Sequence, residues 1–136
     1  MRELTATIAS ESPEHVVLDM EAGVEHLSRG TARNTDTLLV IAEPYYKALE
    51  TAARVVRLGR ELGIAQVLTI VNKVRVADQE AIRQFAARHE LKISAEIFHD
   101  ESVAEADRLG IAPIDHESSG TMIQSLEILA QQLLPA

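Results

Sequence analysis

The sequence of 136 residues contains no cysteine and no tryptophan, and only 3% of its residues are aromatic. Without cysteine the chain forms no disulfide and offers no thiolate ligand to a metal. This composition fits a reducing compartment without requiring one.

The sequence also lacks a long apolar run and a basic cluster. No run is long enough to cross a bilayer, and the first five residues, MRELT, resemble no secretory signal. Thirteen Lys and Arg residues stand against 21 Asp and Glu residues, which gives a formal net charge of −8. Such a charge repels phosphate backbones. We therefore expect a cytoplasmic protein that binds neither membranes nor nucleic acid.

What the sequence does contain is an alternation of short apolar runs and amphipathic segments, which indicate buried strands and helices respectively. The predicted strands are 16–20, 37–42, 67–71 and 91–98. The predicted helices are 46–62, 78–89, 101–109 and 119–134. Residues 3–9 allow a short edge strand, and residues 24–31 a short helix or an ordered loop. Because parallel neighbours need crossover helices, this order predicts one α/β domain, a three-layer sandwich with a mostly parallel sheet.

Polar residues lie at the carboxyl end of each predicted strand. In chain order they are Asp19, Glu43-Pro44, Asn72-Lys73 and His99-Asp100. Ligands of open α/β sheets bind at the carboxyl ends of the strands. Acids, an amide and a lysine at one rim favour a nucleotide and a divalent ion over acid–base hydrolysis.

The same residues also have a plainer interpretation. An Asp followed by a glycine, as in Asp19 and Gly23, is typical of a turn, because Asp bonds nearby backbone groups and Gly tolerates positive φ. Asn72-Lys73 after a strand is typical of a turn as well. The five histidines share no short spacing, so the sequence does not indicate a histidine metal site.

The segment 19–31, DMEAGVEHLSRGT, resembles the D-x-x-A-G-x-E-H-x-x-R-G segment of the carbon monoxide dehydrogenase maturation ATPases of CooC type. These proteins belong to the MinD/ParA group of P-loop ATPases. The resemblance continues through Glu43-Pro44, Gly63-Ile64, Asn72-Lys73, Asp100-Glu101 and the segment 105–110. It covers nearly the whole chain from residue 16 onward and implies a P-loop NTPase-like fold. Residues 1–136 would correspond to the C-terminal part of such an ATPase.

The resemblance implies roles for individual residues. Asp19 would be the Walker B type acid, which holds Mg²⁺ through water, and Gly23 would be a backbone donor of the switch loop. Asn72 would bond the adenine edge with Lys73 beside it. The segment from Phe98 through His99 to Asp100 would pass near the base. The implied cofactors are ATP or ADP with Mg²⁺.

A second group of residues would serve partners. The resemblance places Glu25, His26 and Arg29 on a switch surface, for which an ordinary solvated helix face is the alternative. The implied partners are a second copy of the chain or a chain that supplies the phosphate-binding half.

The chain departs from this family at several points. It contains no G-x-x-x-x-G-K-[ST] loop, whose backbone N–H groups and lysine hold the phosphates in the family. Without that loop, most of the binding energy for a triphosphate and the charge stabilisation for phosphoryl transfer are missing. The base-side segment 97–101 reads IFHDE, where the family commonly has I-P-Y-D-E. The metal-binding cysteine pair of the family is absent too, so thiolate binding of nickel is not implied.

The missing loop has a geometric consequence. In the MinD/ParA group the strand before that loop lies between the strands predicted here at 16–20 and 37–42. A gap there would leave two unpaired strand edges. Either the two strands pair directly, or residues 3–9 fill the gap, or another chain supplies the strand.

The sequence leaves three functions open. The chain is a P-loop-less or truncated CooC/MinD-like protein, a binding, regulatory or metalloenzyme-maturation accessory module with weak or no ATPase activity alone. Alternatively it is half of a split ATPase whose Walker A loop is on another chain. The third alternative is an enzyme of flavodoxin-like architecture with a different small ligand at the same rim.

Overall fold

The computed structural model describes residues 16–20, 27 and 34–133. Its elements in chain order are β1 (Thr37–Ala42), α1 (Tyr46–Glu61), β2 (Gln66–Val74), a 3₁₀ turn (Val76–Asp78), α2 (Gln79–His89), β3 (Ile93–Phe98), α3 (Glu101–Leu109), α4 (Pro113–His116) and α5 (Thr121–Leu133). The bounds of β1 and α3 are those predicted, and the other predicted elements from residue 37 onward agree within three residues. The four-residue helix α4 is not among the predicted helices. No helix in the described ranges has the length and apolarity that a membrane span requires.

The described strands form a parallel sheet in the order β1-β2-β3. Parallel pairing runs from Thr37 opposite Gln66 to Ala42 opposite Val71, and from Thr69 opposite Ile93 to Val74 opposite Phe98. The helices α1 and α2 are the crossover connections that such pairing needs. All three strands therefore end at the same rim of the sheet.

One face of the sheet is covered by α1 and α2. The helix α1 buries Leu49, Ala52, Val56 and Gly59, a stripe at helical spacing. The stripe packs with β1 and β2 and with Ile82 and Phe85 of α2 in the larger core cluster. Full burial of such an aliphatic or aromatic side chain contributes about 1.5–3 kcal/mol to folding. This face therefore holds the main core.

The other face is covered by α5. Ile70 of β2, Ile97 of β3 and Leu129 of α5 are all buried and form a second, smaller core cluster. Met122 and Leu133 of α5 pack against it. Helices on both faces make three layers, which confirms the predicted α/β sandwich with a parallel sheet.

The prediction of a buried strand at residues 16–20 is wrong. These residues belong to no strand, and Val16, Val17 and Leu18 are 42%, 89% and 44% exposed. A strand is held by a ladder to a neighbour, and β1 pairs with β2 alone among the described strands. Direct pairing of 16–20 with β1 is thereby excluded. The predictions for residues 3–9 and 24–31 concern segments outside the described part, apart from residue 27.

Candidate functional site

The end of β2 carries a bulge at Asn72 and Lys73. Val71 pairs with Glu96 and Val74 with Phe98 of β3, so the two intervening residues of β2 face a single residue of its neighbour. Lys73 adopts a left-handed conformation with φ of 57°. This conformation is strained for a residue with a side chain. Bulges occur often beside binding sites, because they redirect side chains there.

The ammonium group of Lys73 bridges the ends of two strands. Its Nζ donates to Oε1 of Glu43, just after β1, over 2.6 Å. The hydrogen bond and the charge of Glu43 raise the pKa of Lys73 above its usual value. Because both side chains are substantially exposed, water screens the pair and it adds little to stability. Its effect is to hold a cation at the rim.

Asn72, the residue before Lys73, is half-buried. Its Oδ1 accepts the backbone N–H of Lys73 over 2.9 Å. An amide oxygen has a second lone pair, and the amide nitrogen has two donors. Paired donors and acceptors of this kind match the N6 and N7 edge of adenine.

His99 follows β3 and lies between two charged groups. Its Nε2 is 3.4 Å from Nη2 of Arg75, and its Nδ1 is 3.8 Å from Oε1 of Glu101. The backbone N–H of His99 donates to the carbonyl of Val74 over 2.9 Å. The imidazole is therefore held at the rim beside the end of β2. Phe98, one residue earlier, packs against the larger core cluster.

Asp100 joins the N-termini of two helices. Its Oδ1 accepts the backbone N–H of Ser102 over 3.0 Å and the hydroxyl of the same residue over 2.7 Å, which caps α3. Its Oδ2 accepts the backbone N–H of Met122 in the first turn of α5 over 3.1 Å. The hydroxyl of Ser102, followed by the Met122 and Ser102 N–H groups, lowers the pKa of Asp100.

Gly120 allows Asp100 to approach α5. A Cβ atom at this position would lie 2.8 Å from Oδ2 of Asp100 and 3.2 Å from the carbonyl oxygen of Glu117. The first of these distances is shorter than real Cβ contacts, so a side chain here forces the carboxylate or the helix to move. The observed bonds of Asp100 are thus structural, and its role in nucleotide binding stays a prediction.

The remaining predicted residues make no hydrogen bond or ion pair with this rim within the described part, or lie outside it. Asp19 is exposed, and within the described residues no hydrogen bond or ion pair joins it to the end of β2. Gly23, Glu25, His26 and Arg29 are outside the described residues. Their predicted roles stay predictions.

The described carboxylates do not by themselves make a metal site. No group of three His, Asp or Glu side chains in the described ranges could hold a metal ion. Magnesium is usually bound through one or two carboxylates, water and substrate phosphates. The predicted binding of Mg²⁺ by Asp19 stays a prediction.

Two residues of the rim region are absent from the sequence prediction. Arg75 belongs to no motif, and it becomes relevant only because the fold brings its Nη2 to 3.4 Å from Nε2 of His99. Gly120 is a recognisable local signal for a helix boundary. Its contact with Asp100 spans 20 positions, and no sequence pattern predicts it. By contrast, the sequence could have indicated the contact between Glu43 and Lys73, because both residues follow predicted strands.

Comparisons with known proteins give consistent relatives. The chain is 37% identical over 119 residues to an ATP-binding protein of Methanocaldococcus jannaschii, covering 87% of this chain and 46% of the relative. It is 36% identical over 116 residues to the carbon monoxide dehydrogenase accessory protein CooC of Rhodospirillum rubrum, covering 85% of this chain and 43% of CooC. No protein-family model matches the chain.

Solved structures show the same fold. The cell division protein MinD of Aquifex aeolicus matches with a TM-score of 0.75 and 17% identity, over 96% of this chain and 57% of MinD. The MinD ATPase of Pyrococcus furiosus matches with a TM-score of 0.72 and 17% identity, over 97% and 57% of the two chains. The chain thus spans about half the length of the relatives that it matches.

Proposed function

We propose that this chain, which belongs to the MinD/ParA group of P-loop ATPases and has CooC among its relatives, is a nucleotide-binding module. In this proposal it binds the base side of an adenine nucleotide and has weak or no ATPase activity alone. The observation that carries the proposal is the bulge at the end of β2, which presents Asn72 and Lys73 at the carboxyl rim of the sheet.

The base would be recognised by the Asn72 amide. Its Nδ2 donors and the remaining lone pair of Oδ1 are available to the N7 and N6 positions of adenine. The bulge fixes the backbone on which this side chain stands. The strain at Lys73 supports a binding role, because strained backbone persists where the surrounding structure imposes it and is frequent at binding sites.

The phosphates would add little to binding. The sequence contains no phosphate-binding loop, and that loop supplies the backbone N–H groups and the lysine that hold the triphosphate. Lys73 offers one ammonium group, which Glu43 already neutralises over 2.6 Å. The affinity of the isolated chain should therefore depend on the base and hardly on the number of phosphates.

The physiological role in this proposal is that of a binding, regulatory or metalloenzyme-maturation accessory module. The relative CooC is a carbon monoxide dehydrogenase accessory protein. Magnesium would join only with the phosphates of a bound nucleotide, through Asp19.

Calorimetric titration with adenosine and with Mg-ATP tests the proposal. We expect weak binding of both ligands, with dissociation constants that differ by no more than about threefold. Asn72→Ala should weaken the binding of adenosine and of Mg-ATP by about tenfold each, because it removes one good contact between the amide and the base. Gln132→Ala removes an exposed amide from α5 and should change neither.

Two results would contradict the proposal. The first is micromolar binding of Mg-ATP with turnover by the isolated chain. The second is a flavin that copurifies with the protein, detected by its absorbance, since it would favour the flavodoxin-like alternative.

A second candidate is half of a split ATPase, and the outer edge of β1, which pairs with no other described strand, favours it. In that case ATP hydrolysis should appear only when a chain with a phosphate-binding loop is added. Turnover that stays absent in every such mixture would remove this candidate and leave the first intact.

A further inference from the structure

A cavity of about 220 Å³ lies between the C-terminal ends of α1 and α2. Both helices run from the carboxyl rim of the sheet back to the start of the next parallel strand. The cavity is therefore at the opposite edge of the sheet from Asn72. Three of the residues that line it are apolar: Val56 and Leu91 are 3% and 5% exposed, and Ala53 is half-buried. A short aliphatic group fits against such a lining.

Charged residues of both signs stand around the apolar lining. They are Arg57, Arg60 and Glu61 of α1 and Glu90, which follows α2. Arg57 and Glu61 are one helical turn apart, a spacing at which opposite charges can pair. Yet none of these four side chains makes a hydrogen bond or an ion pair with another described residue. Within the described part of the chain, the cavity thus offers two cations and two anions that the fold does not use.

The imidazole of His89 also lines the cavity and is held in place by its neighbours. Its ring stacks on that of Phe85, with the centroids 4.1 Å apart and 20° between the planes, and Phe85 is buried. The ring of Tyr46 meets both rings edge to face. A ring packed in this way loses little freedom when it forms a hydrogen bond. One polar group of the cavity is thus ordered before a ligand binds.

The backbone at Glu90 is strained. Glu90 ends α2 in the left-handed conformation with φ of 52°, where glycine is the usual residue. Just after α1 and α3 the chain has Gly63 and Gly110 in this region, with φ of 80° and 67°. A residue with a side chain costs stability at such a position, and strain of this kind is frequent at binding sites. The exception among these three helix ends is a residue that lines the cavity.

We propose that this cavity binds a free amino acid with a short aliphatic side chain, such as leucine. The guanidinium groups of Arg57 and Arg60 bind its carboxylate, because their forked donors match two carboxylate oxygens. His89 donates a further hydrogen bond to the carboxylate. Glu61 and Glu90 bind the ammonium group, and the apolar lining takes the aliphatic side chain. This site goes beyond base recognition at the carboxyl rim and does not depend on it.

Ligands with a single charge fit the cavity less well. A simple anion such as phosphate is attracted by the two arginines but repelled by the two glutamates, and for an amine the signs are reversed. A metal ion is not indicated, since no group of three His, Asp or Glu side chains in the described ranges could hold one. The mixture of charges around an apolar lining therefore favours a zwitterion.

Titration of the ¹⁵N-labelled chain with leucine, followed by NMR, tests the proposal. We expect saturable shifts at the backbone amides of Arg57, Arg60 and Glu90. The dissociation constant should be roughly 1 mM, because water screens contacts to exposed charged groups.

Three analogues of leucine each lack one feature that the cavity would recognise. The ammonium group is missing in 4-methylpentanoate, the carboxylate in 3-methylbutylamine and the aliphatic side chain in glycine. Each analogue should bind at least about fivefold more weakly than leucine.

Matched variants locate the site. Arg60→Gln should weaken leucine binding by about threefold or more. Arg54→Gln is its control, because Arg54 lies on the same helix, pairs with Glu50 over 3.3 Å and does not line the cavity; it should leave the affinity within about 1.5-fold. Glu90→Gly should also weaken binding by about threefold. The same variant should raise the midpoint of urea unfolding, because glycine relieves the backbone strain.

Any one of four results would overturn the proposal. These are the absence of a saturable shift with leucine, an analogue that binds as tightly as leucine, equal weakening by Arg60→Gln and Arg54→Gln, and unchanged affinity in Glu90→Gly. The adenosine titration reports on Asn72 at the other edge of the sheet, so the two proposals can fail separately.

Discussion

The rim of the sheet contains two segments with similar sequences and different structural roles. Asn72-Lys73 after β2 and His99-Asp100 after β3 both place a polar pair behind an apolar strand. Asp100 uses both carboxylate oxygens to cap two helices. Among the described residues, the Asn72 side chain bonds only the adjacent backbone N–H and connects no helix. A polar residue at a strand end is therefore a candidate ligand group only where the fold does not already use it.

The contrast between Asp100 and Asn72 should be largest in the stability of their alanine variants. Asp100→Ala removes the caps of α3 and α5, each worth about 1 kcal/mol or slightly more, so we expect a loss of about 2–3 kcal/mol. Asn72→Ala should cost less than about 0.5 kcal/mol, as for most surface changes. Urea unfolding measures both values.

Asp107→Ala serves as the control, because this exposed aspartate of α3 makes no side-chain bond in the described part. It should change the unfolding free energy by less than about 0.5 kcal/mol. Equal losses for Asp100→Ala and Asn72→Ala would remove the distinction between the two segments.

A smaller effect is expected at Gly120. Gly120→Ala brings a Cβ atom to 2.8 Å from Oδ2 of Asp100 and should cost about 1–3 kcal/mol through overpacking. In the Asp100→Ala background most of this cost should disappear, because the carboxylate that the Cβ meets is gone. A double-mutant cycle by urea unfolding measures the coupling. Strict additivity would show that the two residues do not interact.

The smallest of the stability effects depends on pH. The folded state lowers the pKa of Asp100 through the bonds from Ser102 and Met122, so the unfolded chain binds this proton more readily. The stabilisation is therefore present above the unfolded pKa of about 3.9 and is lost as pH falls through the folded value. The difference in unfolding free energy between the native chain and Asp100→Asn should shrink below about pH 4. A difference that stays constant with pH would contradict this origin.

Local signals explain which elements the sequence predicts well. The helix α3 has the predicted bounds because both of its ends are determined nearby, by the cap at Asp100 and by Gly110 in the left-handed region with φ of 67°. The strand β1 is predicted correctly because it is a short apolar run that stops at Glu43-Pro44. Both predictions need only a few adjacent residues.

Properties that depend on distant neighbours are not predictable in this way. Residues 16–20 have the composition of a strand, yet no described strand lies beside them, so they form none. The bulge at Lys73 arises from the register with β3, which no local pattern specifies. The second cap of Asp100 reaches Met122, 22 positions away. The sequence thus predicts the fold and the polar residues at the ends of β1, β2 and β3, but not Arg75 and Gly120 beside them, nor which of these residues the fold uses.

The most direct test of the central claim is a titration of the ¹⁵N-labelled chain with adenosine, followed by NMR. We predict saturable shifts at the side-chain amide of Asn72 and the backbone of Lys73, little change at Asp100, and loss of the shifts in Asn72→Ala. Shifts centred on Asp100 with none at Asn72, or no saturable shift at all, would contradict the assignment of the base site to the end of β2.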